Sequence, residues 1–234
     1  MMLDAQVWQP AARERACAVY CAVRKIKKTS VEVEVKLRIT DLRGIVVKLK
    51  RLGAICHGRV LEQNALFDTA DSAFHRSGRL LRVRIETAAP GHALPGGRAK
   101  AVLISKAPPS SFAPKPLGGG RARYKARAER ERLLDAPATF IGSLVPLGLR
   151  PGFRYEKFRT SFRHGGLHLD LDETPVGVFL ELEGTPRAID RAAQALGFAP
   201  RDYIRETYWD LYATDCRRRG VAPKNMLLAA RKSR

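Results

Sequence analysis

The chain has 234 residues, with 43 lysines and arginines against 23 acidic residues and a formal net charge of +20. That length allows one large domain with its own core, and the positive excess points toward polyanions such as nucleic acid or polyphosphate. The four cysteines (Cys17, Cys21, Cys56, Cys216) are scattered, which argues against a disulfide scaffold or a CxxC metal site and fits a reducing cytoplasm. No apolar run approaches the ~20 residues of a membrane-spanning helix, and no apolar stretch followed by a small-residue cleavage site marks a secretion signal.

Residues 1–30 are basic and show no sustained periodicity, so they read as a loose, poorly structured extension. Over 31–39 apolar and charged residues alternate strictly, with Glu32, Glu34, Lys36 and Arg38 on one face. That period of two predicts a strand. Residues 41–53 form an amphipathic helix on Leu42, Ile45, Val46, Leu49 and Leu52, with Asp41 able to cap its start and Gly53 its end. A meander follows over 56–68 and 79–86, whose second strand carries Arg82, Arg84 and Glu86 on one face. A Pro- and Gly-rich loop then brackets one short strand, 101–106, ending in Lys106. The charged alternation returns over 124–133 with Lys125, Arg127, Glu129 and Glu131. Pro137 opens a helix running to Gly148. Strands follow at 155–163 (Lys157, Arg159, Arg163), 167–172 (Asp170, Asp172) and 178–183 (Glu181, Glu183). Thr185-Pro186 starts a helix to Gly197, and a last helix is read over 203–218, its Tyr208, Trp209, Leu211 and Tyr212 placed to cover one end of the fold. The order charged strand, helix, charged meander occurs twice, which suggests two pseudo-symmetric halves. Residues 31–213 then make up the domain, and 214–234 a basic tail.

Water-facing strands usually mix Thr, Ser, Gln and Lys. Here five or more strands place almost only Asp, Glu, Lys and Arg on one face, grouped by sign. The pattern predicts an α+β fold, a closed antiparallel β-barrel with a charged lumen, packed by several helices. Enclosed carboxylates raise one another's pKa, and unpaired buried ions cost several kcal/mol each. A divalent cation would satisfy the acids and a phosphate-rich anion the bases. Acid, metal, phosphate and base across one cavity is the chemistry of phosphoryl or nucleotidyl transfer.

These residues also carry a family resemblance. Glu32-Val33-Glu34-Val35-Lys36 matches the ExExK signature of the CYTH superfamily, the triphosphate tunnel metalloenzymes. Leu81-Arg82-Val83-Arg84 resembles its RxR strand, Lys106 its following lysine, and Arg127-Ala128-Glu129-Arg130-Glu131 its RxExE strand. Lys157-Phe158-Arg159 resembles its KxR element, and Asp172 with Glu181-Leu182-Glu183 its late Asp and closing ExE. The resemblance implies an eight-stranded tunnel that binds triphosphate compounds with Mg²⁺ or Mn²⁺. By position, Lys36, Arg82, Arg84, Lys106, Arg127, Lys157 and Arg159 would grip the phosphates. Glu32, Glu34, Glu129, Glu131, Asp172, Glu181 and Glu183 would hold one or two metals, with Lys36, Glu34 and Asp172 closest to the chemistry. Asp170 shares a face with Asp172, and the family position selects Asp172.

Three functions fit the sequence. The first is a metal-dependent hydrolase of tripolyphosphate, thiamine triphosphate or nucleoside triphosphates. The second is a class IV adenylate cyclase, although Ile26 and Lys27 stand where that branch often has His-Phe. The third is a polyphosphate- or RNA-binding module without turnover. The expected partners are a triphosphate-bearing small molecule and, through the basic ends, weak contact with nucleic acid, with no membrane association. The chain is expected to be a monomer or homodimer.

Overall fold

The computed structural model describes residues 23–26, 30–94, 96–108 and 123–229. Among them eight strands close a ring. They are β2 (Ser30–Ile39), β3 (Ile55–Asp68), β4 (Leu80–Ala88), β5 (Lys100–Ala107), β6 (Lys125–Leu134), β7 (Arg150–His164), β8 (Leu167–Thr174) and β9 (Gly177–Glu183). Their order is β6-β2-β9-β8-β7-β3-β4-β5, and β5 pairs back onto β6. Every pairing is antiparallel, so the expected eight-stranded barrel is the observed fold. A ninth strand, β1 (Val23–Ile26), falls within the stretch 1–30 that reads as unstructured. It pairs with β6 from Val23 opposite Leu134 to Ile26 opposite Arg132, beyond the part of β6 that holds β2. The rest of that stretch, the second half of the Pro- and Gly-rich loop and residues 230–234 lie outside the described residues.

The apolar core lies outside the barrel rather than within it. Strict alternation leaves each strand one apolar face, and the helices cover those faces. Val35 and Leu37 of β2, Leu169 and Leu171 of β8, and Leu180 and Leu182 of β9 pack against two helices, α1 (Leu42–Arg51) and α4 (Pro186–Leu196). Each such leucine, fully buried, contributes roughly 1.5–3 kcal/mol. A second layer joins Ala65, Phe67, Val83, Ala101 and Leu134 to Phe140, Ile141 and Leu144 of α3 (Pro137–Leu144). The short α2 (Ala73–Arg76) sits in the β3–β4 connection, where Asp68 accepts backbone N–H bonds from Thr69, Phe74 and His75.

The helix ends follow local chemistry. Asp41 accepts from the Gly44 N–H at 2.9 Å, and Thr185 accepts from Ala188. Gly53 and Gly197 take φ of +81° and +92°, conformations that a side chain disfavours. The last helix, α5, starts at Tyr208 and runs to Arg218, so the expected start at 203 is five residues early. Residues 203–207 are extended instead, and Ile204 exchanges two backbone hydrogen bonds with Lys36 of β2 (2.8 and 2.9 Å). The basic tail packs in part, because Met226 is buried and its backbone bonds to Arg154 and Glu156 of β7.

Candidate active site in the charged tunnel

The other face of each strand lines a cavity of about 920 Å³ running through the barrel. Thirteen of the fourteen side chains singled out from the sequence line it. They come from six strands because the period of two and the antiparallel registers point each charged residue inward. The exception is Asp172, which is fully buried and outside the lining.

Bases and acids interleave. Lys36 Nζ lies 3.4 Å from Glu34 and 3.3 Å from Glu181, and Lys125 reaches Glu34 at 2.8 Å. Lys106 stands between Glu32 and Glu129, 2.6 Å from the latter. Arg84 meets Glu86 and Glu131, each at 3.1 Å. Arg159 reaches Asp170 at 3.0 Å and Glu181 at 2.5 Å. Arg82 donates to the Tyr155 hydroxyl at 2.6 Å. Arg127 lines the same wall.

Asp172 has a different environment. It accepts from Lys157 at 2.7 Å, from Arg159 through two bonds of 2.7 and 2.6 Å, and from the Tyr208 hydroxyl at 2.7 Å. Burial and the Asp172 carboxylate hold the Tyr208 phenol well above its ordinary range, so it remains a donor. The ring of Tyr208 lies beneath the Lys36 and Lys157 ammonium groups, with centroid distances of 5.4 and 4.9 Å. With all its neighbours donating, Asp172 anchors the KxR pair and α5. Asp170, two residues earlier on the same face, lines the cavity, and its Oδ1 accepts no hydrogen bond among the described residues.

Electrostatics separates the acids. Burial, a hydrogen bond to Glu129 and the Glu34 charge drive the Glu32 pKa up, against Lys106. Glu129, opposed by burial, is held low by its bond from Glu32 and by Lys106. Glu183 is pushed up to about 7 by burial and by Glu129, with Asp170 and Glu34 adding to it. Glu32, Glu34, Glu129, Asp170 and Glu183 line one carboxylate-rich region, in which Glu32 and Glu183 are the groups that hold protons more tightly than usual. Its donors are oxygen only, which suits a hard divalent cation such as Mg²⁺ or Mn²⁺. Among the described residues no three such side chains already converge in metal-binding geometry, since lysines and arginines stand between them.

Several tunnel residues fall outside the sequence motifs. Glu62 and Asn64 of β3 are both 1 % exposed and buried on the charged side. Their alternation is masked because Gln63 between them is also polar, bonding Glu156 on the outer face. Lys125 belongs to the charged face of β6 yet fits none of the motif positions. Tyr208 reaches the lumen from a helix, which no strand pattern reveals.

The CYTH domain family profile matches residues 30–208. Among curated proteins, none matches the chain by sequence. Among solved structures, a Pyrococcus horikoshii protein is 20% identical, with 79% of this chain and 99% of that chain covered and a TM-score of 0.62. A proposed adenylate cyclase from Vibrio parahaemolyticus is 19% identical, covering 79% and 98%, with a TM-score of 0.58. A proposed adenylyl cyclase from Hippeastrum, described as showing a dominant triphosphatase activity, is 20% identical over 82% and 97%, with a TM-score of 0.50. At these identities the structural likeness establishes the fold alone. The family profile spans most of the chain, and the protein belongs to the CYTH family.

Proposed function

We propose that the chain is a divalent-metal-dependent hydrolase of triphosphate compounds, acting on tripolyphosphate, thiamine triphosphate or a nucleoside triphosphate. The observation that carries this reading is one enclosed cavity lined by seven bases of the motif set and by carboxylates paired among them. Lys36, Arg82, Arg84, Lys106, Arg127, Lys157 and Arg159 supply donors for a chain of phosphates, and a carboxylate-rich region lies beside them. Glu32, Glu129, Asp170 and Glu183 would hold the cation, with Glu34, Glu131 and Glu181 nearby. Asp170 takes the place that the sequence assigns to Asp172, because Asp172 is saturated by four donated bonds. When bound, Mg²⁺ or Mn²⁺ supplies charge neutralisation on the phosphates and activation of water.

The chain's own residues do the rest. Arginines and lysines align the triphosphate and neutralise the charge that builds on the leaving phosphate. A carboxylate of the same wall accepts the proton of the attacking water. The tunnel excludes bulk solvent and strengthens each of these contacts. The cavity wall also carries Phe74, Phe153 and Trp209, with Phe153 and Trp209 edge-to-face at 4.8 Å. An aromatic group attached to the triphosphate has a surface to stack on there.

The dominant triphosphatase activity described for the Hippeastrum protein agrees with hydrolysis. The same neighbours are proposed cyclases, which favours class IV adenylate cyclase as the second reading. Incubating the protein with tripolyphosphate, thiamine triphosphate and ATP, each with Mg²⁺ or Mn²⁺, separates the two. Orthophosphate from any of the three supports the hydrolase. Cyclic AMP with pyrophosphate from ATP establishes the cyclase instead, and absence of turnover leaves a binding module. No helix among the described residues is long and apolar enough to cross a membrane. A cytoplasmic location, monomer or homodimer state and nucleic-acid contact through the basic ends are part of the proposal.

A further inference from the structure

We propose that Glu62 is a resident counter-anion of the phosphate grip, weakening its hold on phosphate anions so that the short products leave. The inference rests on the triphosphate reading of the tunnel. Glu62 projects from β3 into the lumen, directly opposite Lys157 of β7, and lines the cavity while only 1 % exposed. It lies among three bases of the grip: Lys157 Nζ at 3.4 Å, Arg84 Nη1 at 3.5 Å and Arg159 Nε at 3.6 Å. Each separation is longer than the best bond that the same base makes elsewhere. Lys157 and Arg159 bond Asp172 at 2.6–2.7 Å, and Arg84 meets Glu86 and Glu131 at 3.1 Å. Oε2 of Glu62 accepts no hydrogen bond among the described residues. Other carboxylates therefore position the three bases. Glu62 adds a charge at the point where the RxR and KxR pairs face one another, which is where phosphate oxygens must come.

A fixed carboxylate there repels every phosphate that enters. A triphosphate offsets that repulsion through further contacts along the tunnel, to Lys36, Arg82, Lys106 and Arg127. Pyrophosphate and orthophosphate meet the same repulsion with fewer contacts to set against it. The shared repulsion leaves the short anions, which have the fewest attractive contacts, held most weakly.

The test uses the full chain and calorimetric titration with tripolyphosphate, pyrophosphate and orthophosphate, without divalent cation. Glu62→Gln removes the charge and keeps the shape. It is expected to bind pyrophosphate on the order of tenfold tighter than wild type, with a comparable gain for tripolyphosphate. In turnover, its KM and kcat are both expected to fall, with pyrophosphate a stronger inhibitor. Glu62→Asp draws the charge back by one methylene, and an intermediate gain is expected. It carries the test if the Gln form does not fold. If a folded variant binds pyrophosphate no tighter than wild type, the proposal is overturned and Glu62 is a structural partner of its three bases. If wild type itself fails to bind tripolyphosphate, the triphosphate reading falls first, and the two failures are told apart by which protein shows them.

Discussion

Asp172 and Asp170 stand two residues apart on one strand face, yet they meet opposite surroundings. Four donated bonds converge on Asp172, whereas no hydrogen bond among the described residues reaches the Oδ1 of Asp170. Asp172→Asn leaves the buried Lys157 and Arg159 short of charge, and is expected to cost about 3–5 kcal/mol of stability, measured by urea unfolding. Asp170→Asn is expected to destabilise less and to weaken Mg²⁺ binding at least about tenfold by calorimetry. Equal stability losses would show that the two carboxylates share one role. The retained protons give a pH dependence. Glu183 rises from its ordinary 4.5 to about 7, so the folded state holds a proton that the unfolded chain has released. Its stabilising contribution is full below about 4.5 and is lost as pH rises through about 7. The cation competes with that proton, so Mg²⁺ affinity is expected to increase across the same window, with protons released on binding. Calorimetry in buffers of different ionisation enthalpy reads that release, and pH-independent binding would remove Glu183 from the metal region. At this scale the sequence is legible where sign and spacing repeat, as in Glu32-Val33-Glu34 and Lys157-Phe158-Arg159. It is silent on Glu62, whose neighbour Gln63 hides the period, and on which of two aspartates the other elements saturate.

Periodicity marks a strand or helix most clearly where one face is apolar and the other charged. Six of the barrel strands, β2, β4, β6, β7, β8 and β9, meet that condition, because the outer face packs on apolar neighbours and the inner face is largely ionic, whereas β3 and β5 do not. β1 does not, since Val23-Arg24-Lys25-Ile26 is too short to show a period. The start of α5 was misplaced for another reason. Aromatic residues from Tyr203 onward suggest a helix, but Thr207 and Asp210 form the capping box that fixes the start at Tyr208. That placement matters to the site. The extended segment before the cap pairs with Lys36, and the first helical residue delivers the Tyr208 hydroxyl to Asp172. Tyr203 and Tyr124 both donate to Asp190 of α4 (2.8 and 2.7 Å), tying that segment to the start of β6. Tyr208→Phe keeps the ring under the two ammonium groups and deletes one bond to a buried carboxylate. A loss of about 1.5–3 kcal/mol in thermal or urea unfolding is expected. An unchanged stability would mean that α5 is held by its aromatic packing on Phe153 and Phe179 alone.

Charge over the whole molecule is unevenly divided between inside and outside. The cavity lining holds twelve lysines and arginines against eleven carboxylates, so it accounts for +1 of the net +20. The remaining +19 lies outside the tunnel. Part of it is on the helical layer, where Arg43, Lys50 and Arg51 of α1 and Arg187 and Arg191 of α4 are exposed, and α1 contains no acid. A near-neutral tunnel inside a basic shell separates two kinds of anion. A small triphosphate must displace internal ion pairs, whereas an extended polyanion meets the shell without entering. Binding of a single-stranded RNA oligonucleotide bearing a 5′-hydroxyl is therefore expected to weaken steeply with salt. The log–log slope should be about −0.7 per phosphate contacted, and steeper than about −3 if four or more of these bases take part. Saturating tripolyphosphate is expected to leave that binding in place, because the two ligands occupy different surfaces. Fluorescence anisotropy at stepped salt concentrations, repeated with tripolyphosphate, measures both. RNA released by tripolyphosphate would place the nucleic acid in the tunnel mouth, and a flat salt response would show that the outer charge serves no polyanion.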